Sequence, residues 1–419
     1  MKSRLSQHPT LLILPSIHAA KATDGRLIMP RKFIEGVAEY SRHWPGRVSV
    51  LARTEKGQGI NLDEAPIEVA SLSFNLAVQD GGEVPNALRD ATVVLATLIE
   101  PYLPLAGTCR QLNVPLVYIA ENSVRTRRQQ IAADAPNLPV RLRRQWYTTR
   151  MERRYRAALR VAPGVQCNGT PTFGDYRDLT PSPLLYFDTR AAENMLIASD
   201  ALETRLAHLM RGGPLRLAWS GRFLPIKGPD HLIDVAAQLR NLGVAFTLDL
   251  CGDGPLRDQM QRSINQHGLG EHVKFRGVLD FARELMPFMA NHVDLFVCCH
   301  RQGDPSCTYM ETLTCGTPIV GYDNEAWAGL RRTMQAGWTT PMNDPLALAE
   351  KIAELARARE QVAAAARAAR EFASTRTFER VMKLRIDHLL QCREKLHVGA
   401  AGSSMHARRA TSISAGAAT

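Results

Sequence analysis

The chain has 419 residues, 45% hydrophobic and 22% charged, enough for two ordinary globular domains that each bury a core. That balance excludes collagen-like and wholly disordered chains, and no apolar stretch approaches the roughly 18 residues needed to span a bilayer. The net charge of +11 is local: 125–160 holds eleven arginines against Asp134 and Glu152, +9 of the total.

Lys2 and Arg4 ahead of Leu11-Leu12-Ile13-Leu14 mimic a weak signal peptide. The apolar run stops at Pro15 and is too short for that role, so it reads as a buried first strand and the chain as cytoplasmic. A loop from Ser16 to Leu27, containing Gly25, follows. Phe33 to Tyr40 reads as a helix, and Val48 to Ala52, Ala91 to Leu95 and Val114 to Ala120 read as strands. Alternation of this kind argues for a parallel sheet. The last of these strands ends at the polar triplet Glu121-Asn122-Ser123. In the arginine-rich window, Trp146, Tyr147, Met151 and Tyr155 interleave with the cations. Such a surface suits anionic lipid headgroups or another polyanion; the alternative is a solvated basic helix pair with its aromatics turned inward. A further strand ends near Gln166-Cys167-Asn168-Gly169, and Pro181 to Pro183 with the Tyr186-Phe187-Asp188-Thr189 run reads as the crossing into a second domain.

The second half carries the sharper motifs. Leu215 to Ser220 reads as a strand, followed by Gly221-Arg222-Phe223 and Lys227-Gly228, then a helix with Leu232, Val235, Ala236 and Leu239 on one face. Arg222 can fork onto phosphate oxygens and Lys227 can place a point charge on them. Phe246, Leu248 and Leu250 alternate ahead of the turn Gly252-Asp253-Gly254-Pro255, and Phe275-Arg276-Gly277 belongs to a later strand. Asp294 to Cys299 is a compact apolar run, His300 to Pro305 a polar loop, and Ser306 onward is helical up to Cys315-Gly316. Ser306, Cys307 and Thr308 thus lie at a helix N-terminus, whose free N–H groups and dipole bind anions. A lowered Cys307 pKa is expected there, without a catalytic role for the thiol. Glu311, one or two turns in, suits vicinal hydroxyls such as those of a ribose. The eight cysteines include no Cys-x-x-Cys pair, so reduced thiols are expected rather than a metal site or a disulfide framework. Leu346 to Ala373 is helix-prone, a helix around Phe378 to Leu390 follows, and 399–419 reads as a disordered tail.

These motifs and their order resemble the C-terminal domain of family-4-type retaining glycosyltransferases. The resemblance covers roughly 215–385 well and the first half loosely. It implies an α/β protein of GT-B fold: two Rossmann-like domains facing across a cleft, here 1–185 on the acceptor side and 186–395 binding a nucleotide sugar, with the last helix returning to the first domain. In that family the arginine and lysine of the first turn contact the donor diphosphate, which maps onto Arg222 and Lys227. The second glutamate of a Glu-x7-Glu pair holds the ribose, which maps onto Glu311. The family's glycine turn maps onto Gly252 and Gly254, Arg276 becomes a base-proximal candidate, and Gly25 is the one glycine that fits the family's first loop.

The first glutamate is absent. Its position is Gly303, so either the adjacent Asp304 or backbone groups near Gly303 would serve the sugar. Where relatives often have a histidine that touches the donor sugar, this chain has Glu121 and Asn122. Glu121 is expected to bind a sugar hydroxyl, orient the acceptor or cap the next helix. The implied activity is sugar transfer from a nucleoside-diphosphate donor to a lipid-linked or saccharide acceptor, in polysaccharide or glycolipid assembly. Neither cofactor nor metal is expected, nor a nucleic-acid partner; peripheral attachment to an anionic membrane through 125–160 is. A nucleotide-sugar epimerase or hydrolase on the same fold, and a non-enzymatic polyanion binder, are the alternatives.

Overall fold

The computed structural model describes residues 9–22, 25–54, 64–79 and 84–395, so the expected tail at 399–419 lies outside the described residues. Two sheets form, the second wholly parallel and the first parallel apart from the antiparallel pairs of Leu27–Pro30 with His18–Lys21 and Glu64–Ile67. In the first, neighbouring strands run Pro183–Tyr186, Gly164–Asn168, Leu116–Ala120, Val93–Thr97, Thr10–Leu14 and Arg47–Thr54. All five residues of Val93–Thr97 are buried. Burial on both faces is why these strands read as short continuous apolar runs.

Alternation along Thr10–Leu14 divides the packing. Leu11 and Ile13 join the cluster that contains Val48, Val50 and Tyr40, whereas Leu12 and Leu14 join Val94, Tyr118, Met151 and Leu159 on the other face. Met151 and Leu159 belong to the long helix Leu138–Val161. The first cluster is completed from far along the chain, by Met382, Ile386, Leu389 and Cys392 on a helix over 378–395.

Two features differ from the expectations. Pro183–Tyr186, placed in the crossing, is instead an edge strand paired in parallel with Gly164–Asn168. A proline opening an edge strand costs no ladder hydrogen bond on the open side, which reconciles Pro183 with a strand. The helix-prone stretch at 346–373 is two helices, Pro345–Arg357 and Arg359–Ser374, separated at Ala358.

The second sheet runs Val273–Gly277, Phe246–Cys251, Leu215–Ser220, Leu295–Cys298, Ile319–Tyr322, Gly337–Thr340. Numbered from Leu215–Ser220, this is the doubly wound order 3-2-1-4-5-6. Its direction reverses between Leu215–Ser220 and Leu295–Cys298, and ligands of such sheets bind at the strand ends beside that reversal. The domains also touch directly: helix Gly169–Tyr176 packs on helix Glu325–Arg331, where a Cβ at Gly329 would meet Thr170 Oγ1 at 1.7 Å.

Candidate active site

The reversal point opens into a cavity of about 420 Å³ between the domains. From the second domain it is lined by Ser220, Gly221, Cys251, Gly252, Val278, Phe281, Thr308 and Glu311, and from the first by Arg31, Lys32 and Glu35. The turns after Leu215–Ser220 and Phe246–Cys251 interlock backbone to backbone. Gly221 N–H donates to the Cys251 carbonyl at 3.0 Å and Phe223 N–H to the Asp253 carbonyl at 2.9 Å. Gly252 has φ +137, and a Cβ there would lie 1.9 Å from the Gly221 carbonyl oxygen, so no other residue fits this crossing. Gly254 makes the same approach to the Phe223 backbone.

Lys227 closes the short turn Pro225–Lys227 and lies 2.5 Å from Asp304 Oδ2. Burial opposes ionisation of Asp304, but the Lys227 ammonium, its hydrogen bond, His300 and Arg222 outweigh it and hold the carboxyl below its usual value. Arg222 is exposed, its charge acting on Asp304, and it is not among the residues that line the cavity. Ser306 precedes the helix Cys307–Thr314 and its hydroxyl donates to Thr308 Oγ1 at 3.2 Å. Glu311 is 7% exposed. Its Oε1 accepts from Arg190 Nε at 2.9 Å, and the Arg190 guanidinium stacks 3.9 Å over the Phe281 ring. The structure therefore gathers Gly221, Gly252, Thr308 and Glu311 on one wall, with Ser306 at the adjoining helix start and the Lys227–Asp304 pair held by the neighbouring turn and loop.

Other expectations need correction. Arg276 does not line this cavity. Strand alternation turns Phe275 toward Phe223, ring centroids 5.7 Å apart, and sends Arg276 to the opposite face. There it binds Asp249 at 2.8 Å, stacks over Phe288 and lines a separate cavity with Arg216 and Lys274. Gly25 is not among the lining residues either. It has φ +86 and donates to the Ala22 carbonyl at 3.0 Å, in the turn of an antiparallel hairpin between His18–Lys21 and Leu27–Pro30. The Cys307 thiol is pushed up rather than down, by burial and then by the Asp188 carboxylate.

Glu121 does not cap the next helix. Ser123 does, its Oγ accepting from Thr126 N–H at 3.0 Å. Glu121 instead accepts from Asn168 Nδ2 at 2.8 Å and from the Tyr186 hydroxyl at 3.2 Å. Burial and the Asp188 carboxylate raise its pKa. Asp188 moves the opposite way: burial opposes its charge, but Lys32 at 2.5 Å prevails and lowers it. Two neighbouring carboxyls thus have their pKa values driven apart. Lys32 Nζ also lies 2.8 Å from Cys307 Sγ, so this cluster joins the first-domain helix Arg31–His43 to the start of Cys307–Thr314.

Lys32, Asp188 and Arg190 were not anticipated. One local signal existed for Lys32: Arg31 and Lys32 open a helix, where the dipole disfavours cations. In the arginine-rich window, Met151 is buried and Tyr155 lies under Arg127 at 4.6 Å, whereas Leu138, Leu142, Trp146 and Tyr147 are exposed. Among the described residues no helix is long and apolar enough to cross a membrane, and no three His, Cys, Asp or Glu residues are grouped to hold a metal ion.

Residues 203–372 match the family model described as glycosyl transferases group 1. The chain is similar to 2-deoxystreptamine glucosyltransferase of Streptomyces kanamyceticus, 29% identical over 42% of this chain and 43% of that protein. It is also similar to the putative colanic acid biosynthesis glycosyltransferase WcaL of Salmonella typhimurium, 28% identical over 35% of this chain and 37% of that one. The chain thus spans less than half the length of these curated relatives. Over most of its length it shares the fold of Anabaena HepE solved with UDP, with TM-score 0.62, 17% identity and coverage of 91% of this chain and 99% of that one. WaaG, a glycosyltransferase involved in lipopolysaccharide biosynthesis, superposes with TM-score 0.56 at 15% identity, covering 91% and 99% of the two chains. With 203–372 similar to the glycosyl transferases group 1 model and both sheets matched to solved structures along most of the chain, the protein has the GT-B fold.

Proposed function

We propose that this protein is a retaining glycosyltransferase that moves a sugar from a nucleoside-diphosphate donor to a lipid-linked or saccharide acceptor in polysaccharide or glycolipid assembly. The observation that carries the reading is the one cavity wall shared by Glu311 and the interlocked Gly221 and Gly252 turns, faced across the cleft by Lys32. Glu311 is buried enough to hold ribose hydroxyls, with Arg190 fixing its carboxylate. The glycine turns, without Cβ atoms, let the backbone come close to a diphosphate. Arg222 and Lys227 would meet the charge that grows on the leaving phosphate. No protein nucleophile is assigned; in the front-face scheme the departing phosphate takes the acceptor proton.

The exposed apolar positions Leu138, Leu142 and Trp146 recur every four residues on one helix, beside the exposed Arg141, Arg143, Arg144 and Arg150. This face supports a membrane-borne acceptor, with the helix resting on anionic headgroups. One observation favours a second reading, hydrolysis or epimerisation of a nucleotide sugar: the Glu121 and Asp188 carboxyls shift in opposite directions, as an acid and a base require.

Calorimetry with UDP, GDP and ADP, then NMR of the product anomer formed from the matching sugar donor and a lipid or saccharide acceptor, tests the proposal. Nucleotide binding followed by transfer with retained anomeric configuration is expected. Rapid epimer or free sugar without acceptor would establish the second reading, and no binding of any nucleotide would overturn both.

A further inference from the structure

Behind the cavity, the first-domain helix Val124–Asp134 reaches the second-domain loop that carries Asp304. Thr126 Oγ1 donates to the Gly303 carbonyl at 2.8 Å, and Gly303 N–H donates to Gln129 Oε1 at 2.9 Å. Both backbone polar groups of one loop residue are therefore bound by side chains of the opposite domain. The other end of the Gln129 amide is also used: Nε2 donates to Glu325 Oε2 at 3.1 Å and Oε1 at 3.3 Å, and Arg125 ion-pairs with the same carboxylate. With an N–H on one side and a carboxylate on the other, only one orientation of the amide satisfies both.

Glycine at 303 leaves room for the Glu325 carboxylate. A Cβ there would lie 2.5 Å from Glu325 Oε2, so the carboxylate fills the space a side chain would need. Thr126 is equally fixed, 1% exposed and bonded to the helix-capping Ser123. One residue further along the loop, Asp304 contacts Lys227 at 2.5 Å and Gln302 Nε2 at 3.1 Å. The clasp and the ion pair are thus adjacent in the chain.

We propose that Gln129 is a positioning residue of the active site: its amide bridges Gly303 and Glu325 across the domain interface and so sets the loop that holds Asp304 on Lys227. Separation of the domains breaks both bonds to Gly303 at once, so Lys227 takes its working position only in the closed form. The bridge is a statement about geometry; its effect on turnover rests on the transferase reading above.

The experiment compares wild type, Gln129→Ala and the exchanged pair Q129E/E325Q, which keeps an acceptor at 129 for Gly303 and an amide donor at 325. Hydrogen exchange of the 300–306 segment reads the bridge directly, whatever the enzyme transfers. Gln129→Ala should speed exchange there by about tenfold, the equivalent of one hydrogen bond. It should lower kcat by a similar factor while leaving UDP or GDP affinity and Tm unchanged. The exchanged pair should restore both the protection and kcat. Wild-type exchange in Gln129→Ala, a lowered Tm with unchanged kcat, or an exchanged pair that behaves like Gln129→Ala would overturn the proposal. If wild type transfers no sugar from any donor, the transferase reading fails while the exchange measurement still decides the bridge.

Discussion

Lys227 already carries an anionic partner, since Asp304 lies 2.5 Å away, so a diphosphate must share that ammonium or take it over. Arg222, exposed and acting on the same Asp304 carboxyl, offers a second charge. Arg222→Ala and Lys227→Ala are each expected to lower kcat by about 10² to 10³ with Tm retained, the scale of losing one fixed stabiliser of transition-state charge. Glu311→Gln should instead weaken nucleotide binding itself, measured by calorimetry with the nucleoside diphosphate alone. The Asp304 pair also predicts a pH dependence. Its folded pKa is depressed, so its stabilisation is present above the ordinary aspartate value of about 3.9 and is lost as pH falls below it toward the folded value. Thermal melts from pH 5 down to pH 2 should therefore fall more steeply for wild type than for Asp304→Asn.

At the scale of elements, the helix Leu138–Val161 is buried along one side by Met151, Ala158 and Leu159 and offers Leu138, Leu142 and Trp146 to solvent at its start. Replacing Arg141, Arg143, Arg144 and Trp146 with Gln should release the protein from anionic vesicles in sedimentation assays while transfer to a soluble acceptor survives. Wild-type binding should weaken with salt, because exposed charges beyond about 8 Å are screened at physiological ionic strength. The elements most legible in the sequence were those whose signal is local: apolar runs, glycine turns and the start of the helix Cys307–Thr314. Lys32, Asp188 and Arg190 were not legible, because each acts on a partner more than 100 residues away along the chain, Asp188, Lys32 and Glu311 respectively. Arg276 was misplaced for a simpler reason: period-two alternation had already committed Phe275 to the face packed against Phe223. The charge pattern of 125–160 was readable, but its division into buried Met151 and exposed Trp146 was not.

The whole molecule is bound together by its last described helix. Arg385 is 8% exposed; its Nε donates to Gln166 Oε1 at 2.8 Å and its guanidinium lies 4.3 Å from the Tyr186 ring. Arg385→Ala leaves Gln166 Oε1 without its donor, while Nε2 keeps the residue-385 carbonyl, and should cost about 1 to 3 kcal/mol, seen as a lower denaturant midpoint. Met382, Ile386, Leu389 and Cys392 of the same helix close one face of the first sheet. The order of assembly on the ribosome follows from this. The first domain emerges early yet remains open on that face until residues near 392 leave the exit tunnel. The intervening 200 or so residues take about 10 to 40 s to synthesise. The second domain, whose core cluster ends at Ala373, can therefore complete its core first, while the apolar face that the last helix will cover stays open on the nascent first domain.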